Sequence, residues 1–257
     1  MRKVIALDFD GLICDGLNEC ILVTWNGYYG KDLSAFSDRG LASIPVEFVE
    51  RFKHCRNFVK HLGHFIVPLV DSTTPIVSQD DFQAIYAAIA PEAVERFMKK
   101  ATEYRHWSRQ EKPAEWLRHH SLYPGMKRFL SQTDLSMTYI VTAKDSKSVR
   151  EILSSAGIKF DESRIFGEQK LKIAALQQIT DLEKIPPYCL HFFDDNVLNV
   201  VEAQKAGYSS YWATWGYNAP HHFHIAQESS ISSISLTEFL EDRMEPLHNR
   251  HLQNSIF

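Results

Sequence analysis

Val4-Ile5-Ala6-Leu7-Asp8-Phe9-Asp10-Gly11 is the stretch on which the reading of this chain turns. Four consecutive apolar residues without alternation fit a strand buried on both faces of a parallel sheet. Two carboxylates and a glycine follow at once, and open α/β sheets bind their ligands at the carboxyl ends of strands. An Asp-x-Asp pair by itself is more often a solvated turn. The buried run before it and Gly11 after it change that balance.

Working outward, residues 137–142 (MTYIVT), 188–193 (YCLHFF) and 210–214 (SYWAT) read as further strands of the same sheet. Helical stretches separate them. Over 146–156, Val149, Ile152 and Leu153 share a face, and Gly157 supplies a C-terminal cap. Residues 172–179 and 198–206 follow the same pattern. This alternation predicts an α/β fold with a doubly wound parallel sheet.

Residues 17–120 lack the alternation. Apolar residues at 48, 49, 52, 55, 59 and 62 predict a helix over 47–62. A Ser-x-x-Asp capping pattern opens another over 78–90, and Pro91 opens a third over 91–107, striped by Val94, Phe97, Met98 and Ala101. Trp25-Asn26-Gly27-Tyr28 reads first as a turn and second as a pocket wall, and 229–235 as a polar connector. The expected division is a core of 1–16 and 121–257 with an inserted all-helical domain over 17–120.

The chain has 257 residues, 44% of them hydrophobic, enough for one large domain or a core with a smaller insertion. A net charge of −4 without a run of one sign gives no sign of a nucleic-acid or membrane surface. No segment approaches the ~18–20 apolar residues of a membrane span. The apolar run after the N-terminus is too short for a signal peptide. Cys14, Cys20, Cys55 and Cys189 have no CxxC spacing, so a reduced, cytoplasmic protein is expected. His221, His222 and His224 form the one tight histidine group, a weak candidate for a metal site.

Three further signals sit at strand ends or helix starts. Thr142 closes the MTYIVT strand and is followed by Ala143, Lys144 and Asp145, the last a candidate N-cap. Lys170 and Lys172 open a helix. Asp194-Asp195-Asn196 ends the YCLHFF strand, with Asn199 four residues past Asp195.

In this order, the signals resemble the haloacid dehalogenase-like hydrolase superfamily, in its phosphatase branch with a helical cap after the first motif, similar to phosphoglycolate phosphatase and β-phosphoglucomutase. The first motif and its flexible turn are matched by residues 8–16. Tyr123-Pro124-Gly125-Met126 is similar to the return from cap to core. Thr142 matches the second motif, the lysine after Ile165-Phe166-Gly167 the third, and Asp194-Asp195 with Ala206-Gly207 the fourth. The resemblance implies a Mg²⁺-dependent phosphomonoester hydrolase acting on a small phosphorylated metabolite, as a monomer or homodimer. Asp8 would be the nucleophile, Asp10 the general acid and base, and Thr142 with the neighbouring Ala143 backbone the donors to phosphate. Lys172, or Lys170 at nearly the same spacing, would supply the cation. Asp8, the Asp10 carbonyl and Asp195 would hold Mg²⁺. Two departures stand out: Asp194 where many relatives have Gly, and Asn199 where a second acid is usual.

Among the arginines of the insertion, Arg51, Arg56, Arg105 and Arg109 are each either a solvated helix residue or a grip for an anionic group, and Arg56 is the favoured substrate contact. Trp212, Trp215, Gly216 and Tyr217 follow the last predicted strand and either line the site or simply pack. Phosphoryl transfer or mutase activity is the alternative within the family, and a non-catalytic binding module the alternative outside it. Carbon–halogen hydrolysis is disfavoured because that branch generally lacks the acid that Asp10 supplies. Phosphonate cleavage would need a Schiff-base lysine, and neither Lys53 nor Lys60 is singled out for it.

Overall fold

The computed structural model describes residues 3–30 and 40–241; the parts of the two predicted domains at 1–2, 31–39 and 242–257 lie outside the described residues. The first strand, β1 (Val4–Leu7), has the predicted bounds. Its side chains alternate between two apolar layers: Val4 and Ala6 pack with Leu176 and Phe192, and Leu7 packs with Phe129 and Phe193. A short β2 (Cys14–Asp15) follows, and then a run of helices: α1 (Leu17–Tyr29), α2 (Val46–Arg56), α3 (Val67–Val70), α4 (Gln79–Ala87), α5 (Pro91–Glu111) and α6 (Pro113–Arg118). These helices carry an apolar cluster of their own, with Ile21, Phe52, Phe58, Phe82 and Phe97 buried in it.

Two expectations for this region are corrected. Residues 25–28 are not a turn but part of α1. Gly27 is small because α1 crosses α5 there: a Cβ on it would stand 2.7 Å from Ala101 Cα. The helix expected over 47–62 stops at Arg56. Beyond it the chain folds Phe58 back onto Phe82, ring centroids 6.0 Å apart, so burial of that ring overrides the helical spacing. The capping box at Ser78 is present, with Asp81 N–H donating to Ser78 Oγ and Asp81 Oδ2 accepting from Ser78 N–H.

The chain returns through β3 (Ser121–Leu122), which pairs antiparallel with β2 and so ties the outgoing and incoming strands of chain together. Then come α7 (Met126–Gln132), β4 (Thr138–Val141), α8 (Ser146–Ser155), β5 (Ile165–Phe166), α9 (Lys172–Glu183), β6 (Leu190–Asp194), α10 (Val197–Lys205), β7 (Ser209–Ala213), α11 (Pro220–Glu228), β8 (Ser232–Ile234) and α12 (Leu236–Glu241). The six-stranded sheet has the order β5-β4-β1-β6-β7-β8 with every pairing parallel. Residues 229–235 therefore are not merely a connector; they contain the edge strand β8. Strands of two or three residues are too short to show a period, which is why β2, β3, β5 and β8 are missing from the sequence reading.

From β1 the chain winds first toward β4 and β5 and then back past β1 to β6, β7 and β8. The crevice created by that reversal opens at the carboxyl end of β1, between β4 and β6. The four cysteines are free and buried. No helix among the described residues is long and apolar enough to cross a membrane.

Candidate active site

Three adjacent strands deliver the chemistry to one edge. Asp8 is the first residue after β1, and its N–H donates to Phe193 O of β6 at 2.9 Å. Thr142 is the first residue after β4, and its N–H donates to Phe166 O at 2.9 Å. Asp194 ends β6, with Asp195 next. Because these strands are parallel and in register, the four residues converge without help from distant loops.

Carboxylate oxygens of Asp8, Asp194 and Asp195 lie within 4.8 Å of one another. All three residues are buried, Asp194 completely. Lys172, first residue of α9, answers that charge: its Nζ donates to Asp8 Oδ1 at 2.6 Å and to Val141 O at 2.5 Å, and stands 3.6 Å from Asp194 Oδ2. Burial opposes the charge on Lys172, but Asp8 and Asp194 outweigh it and raise its pKa. Lys170, the other lysine considered, is exposed and has no such contact.

One cation does not balance three carboxylates. Burial first, and then the charge of Asp8, pushes Asp194 up to about 7; burial, Asp194 and Asp8 together raise Asp195. The cluster thus favours a further positive charge. Its donors are hard oxygens, which suit Mg²⁺. The two oxygens of Asp194 are already engaged, accepting from Asn196 N–H at 2.8 Å and Asn199 Nδ2 at 2.9 Å. Asp8 keeps Oδ2 and Asp195 keeps Oδ1 free of hydrogen bonds from the described residues, so these two fit a cation most directly. Asn199, at the position where the resemblance implies a second acid, donates to Asp194 instead. The histidines 221, 222 and 224 do not gather: His222 Nδ1 accepts from Ala219 N–H at 3.1 Å, and among the described residues the aspartates are the one group fit for a metal.

Around the carboxylates the backbone is held tightly. Gly11 has φ +95°, and a Cβ there would fall 2.1 Å from Asp195 Oδ2, so both conformation and space require glycine. Thr142 Oγ1 accepts Lys144 N–H at 3.2 Å, which leaves the hydroxyl proton to be donated elsewhere. Asp195 Oδ2 accepts Tyr217 N–H at 2.7 Å, and Tyr217 donates its hydroxyl to Asp15 Oδ1 at 2.7 Å. The loop after β7 therefore builds the site rather than merely packing beside it.

The cavity over this edge, about 80 Å³, is lined by Asp8, Asp10, Thr142, Ala143 and Lys172 from the sheet side and by Arg56 from the helical side. Arg56 ends α2, is 9% exposed, and lies over the Tyr217 ring with its guanidinium carbon 3.9 Å from the centroid. Its Nε is buried with no hydrogen-bond partner. The other three arginines are neither solvated nor free: Arg51 pairs with Asp71, Arg105 with Glu19 at 2.6 Å, and Arg109 with Asp145 at 2.8 Å. Asp145 caps α8 as expected, accepting Ser148 N–H at 2.9 Å. Lys144, named in the sequence only as a neighbour of Thr142, and Glu19 are the charged residues of this region to which the sequence assigns no role. Neither falls on a motif, and their ion pairing depends on chain brought together from far apart.

No protein-family model and no curated protein matches the chain. Solved structures do. A predicted phosphoglycolate phosphatase from Haemophilus somnus superposes with a TM-score of 0.60 at 20% identity, over 94% of this chain and 98% of that one. A haloacid dehalogenase-like family hydrolase from Streptococcus pneumoniae gives 0.54 at 16% identity, covering 91% and 94%. A predicted phosphatase from Clostridium acetobutylicum gives 0.55 at 15%, covering 95% and 99%. At such identities the likeness is one of fold.

Proposed function

Starting from a fold shared with haloacid dehalogenase-like phosphatases, we propose that this protein is a Mg²⁺-dependent phosphomonoester hydrolase using Asp8 as nucleophile. The observation that carries the reading is the convergence of Asp8, Thr142, Lys172 and Asp195 on one cavity at the carboxyl edge of the sheet. The fold comparisons support a phosphatase in general terms; the mechanism and the residue roles rest on the chemistry of the side chains.

Asp8 attacks phosphorus and forms an aspartyl-phosphate, which divides one difficult displacement into two. Asp10 protonates the departing alkoxide and then deprotonates water, a role worth about 10²–10⁴-fold. Thr142 Oγ1, with its proton free to donate, and the Ala143 backbone N–H steady the transferring oxygens. Lys172 orients Asp8 through the hydrogen bond from its Nζ to Oδ1. Asp8, the Asp10 carbonyl and Asp195 would hold Mg²⁺, which when bound offsets the repulsion between an anionic nucleophile and an anionic ester. Asp194 is the outer support of that set. Arg56 takes a polar or anionic group of the leaving alcohol, because its buried edge has no internal acceptor. The substrate is thus a small phosphorylated metabolite. The separate apolar cluster of α1–α5 and the β2–β3 ribbon support a cap over 17–120 on a core of 1–16 and 121–257. Four free buried cysteines accord with a reducing, cytoplasmic setting.

The test is phosphate release from 4-nitrophenyl phosphate with Mg²⁺, with chelator, and by Asp8→Asn. Release that needs Mg²⁺ and disappears in the variant is expected. Release that persists in Asp8→Asn would exclude this mechanism.

A further inference from the structure

One charged cluster beside the site lies outside the motifs. Lys144, two residues beyond Thr142, is 4% exposed. Its Nζ stands 3.2 Å from Asp10 Oδ2 and 3.4 Å from Asp10 Oδ1. Among the described residues it is the one donor to that carboxylate. Among the described residues the Asp10 side chain has no other hydrogen-bond anchor, whereas Asp8, Asp194 and Asp195 each have their own.

Lys144 is itself held from the helical side. Glu19 Oε2, on α1, lies 3.7 Å from Lys144 Nζ, and Glu19 is 1% exposed. Arg105 of α5 donates to Glu19 through Nε at 2.6 Å and Nη2 at 3.2 Å, and Trp116 Nε1 of α6 lies 3.5 Å from Glu19 Oε1. Two cations and two anions form a buried chain with no net charge, running from three cap helices to the Asp10 carboxylate. The charge of Lys144 is already paired with two carboxylates, whereas Arg56 has no carboxylate within ion-pair distance among the described residues and feels Asp195 and Asp10 only from farther off. That accounting argues against a phosphate-binding role for Lys144 and in favour of holding Asp10.

We infer that Lys144 is a positioning residue: it aims the Asp10 carboxylate at the leaving-group oxygen, and Glu19 and Arg105 hold Lys144 where it can do so. The inference rests on the reading of Asp10 as acid and base given above. Its physical basis is that proton transfer requires hydrogen-bond reach, and a displacement of ~1 Å costs about 10²-fold. Through this chain the seating of the helices becomes a condition for correct placement of Asp10.

The experiment follows leaving-group dependence, which a general loss of structure does not alter. Wild type, Lys144→Met, Lys144→Arg and Glu19→Gln are assayed on aryl phosphates from 4-nitrophenyl, which departs as a stabilised phenolate, to 4-methoxyphenyl, which needs a proton. For Lys144→Met, kcat/KM, which reads the steps up to release of the alcohol and not the hydrolysis of the aspartyl-phosphate common to every ester, should fall within about threefold on the first and about 10–100-fold on the last. Lys144→Arg should recover most of the loss, and Glu19→Gln should lie between. An equal loss of kcat/KM along the series overturns the inference while leaving the phosphatase reading intact. Wild type inactive on every ester would instead count against the phosphatase reading. The positioning role is then read from crystal structures, where Asp10 should be displaced in Lys144→Met and retained in Lys144→Arg; an unmoved Asp10 overturns it. Should Lys144→Met not fold, Glu19→Gln carries both measurements.

Discussion

Lys172 shows how much one residue can decide at this edge. It is the cation inside a triangle of buried carboxylates, and removing one partner of a buried charge set typically costs about 3–5 kcal/mol. Lys172→Met should therefore lower unfolding free energy in chelator by about that amount, as read by urea denaturation. Added Mg²⁺ should recover more stability in the variant than in wild type, since three unpaired carboxylates attract a cation more strongly than three with a lysine among them. A variant as stable as wild type in chelator would mean that the cluster relaxes by taking up protons. The choice between Lys170 and Lys172 belongs to this scale. Spacing allowed both, and the orientation of the first turn of α9 brings Lys172 alone onto Asp8.

At the scale of elements, helices α1–α6 are organised by contact rather than by local propensity. The α1–α5 crossing is the clearest case: Trp25-Asn26-Gly27-Tyr28 has turn composition, yet the packing of Gly27 on Ala101 and the Asn26 Nδ2 to Tyr104 hydroxyl bond at 2.9 Å hold it helical. Gly27→Val should separate these helices and destabilise the protein by about 1–3 kcal/mol, the usual cost of overpacking. Thermal melting measures it. The same variant should disturb activity through Glu19 and Arg105, which lie on those two helices. Gly27→Val with an unchanged melting temperature would show that the crossing tolerates more space than its geometry implies.

For the whole molecule, the seam between the helices and the sheet layer contains His222, 2% exposed, whose ring meets Phe58 edge-on at 5.5 Å. Burial, and then His221, lowers its pKa to about 4 from 6.5. A histidine depressed on folding contributes stability above its unfolded pKa and loses it as pH falls toward the folded one. Burial and Lys144 lower His120 to about 4, so it acts in the same window. The contribution of these two histidines to the unfolding free energy should accordingly drop between about pH 6.5 and 4. Asp194 and Asp195, raised on folding, act in the opposite sense, so the comparison must be with His222→Asn, which retains an acceptor for Ala219 N–H. A shallower pH slope in that variant is expected; identical slopes would remove His222 from the account.

Sequence alone determined the α/β class, the bounds of β1, and the succession Asp8, Asp10, Thr142, lysine, Asp195. It could do so because buried parallel strands are apolar runs and the groups proposed for catalysis sit at or near their ends, so local pattern and the proposed site coincide. Only the tertiary structure decided that Lys172 meets Asp8, that Asp194 joins the carboxylates, that Tyr217 carries Arg56, and that Lys144 reaches both Asp10 and Glu19. Each of these depends on residues far apart in the chain. Their ion pairs and stacks exist because burial removes competing water, and burial is a property of the packed molecule that no local window of sequence contains.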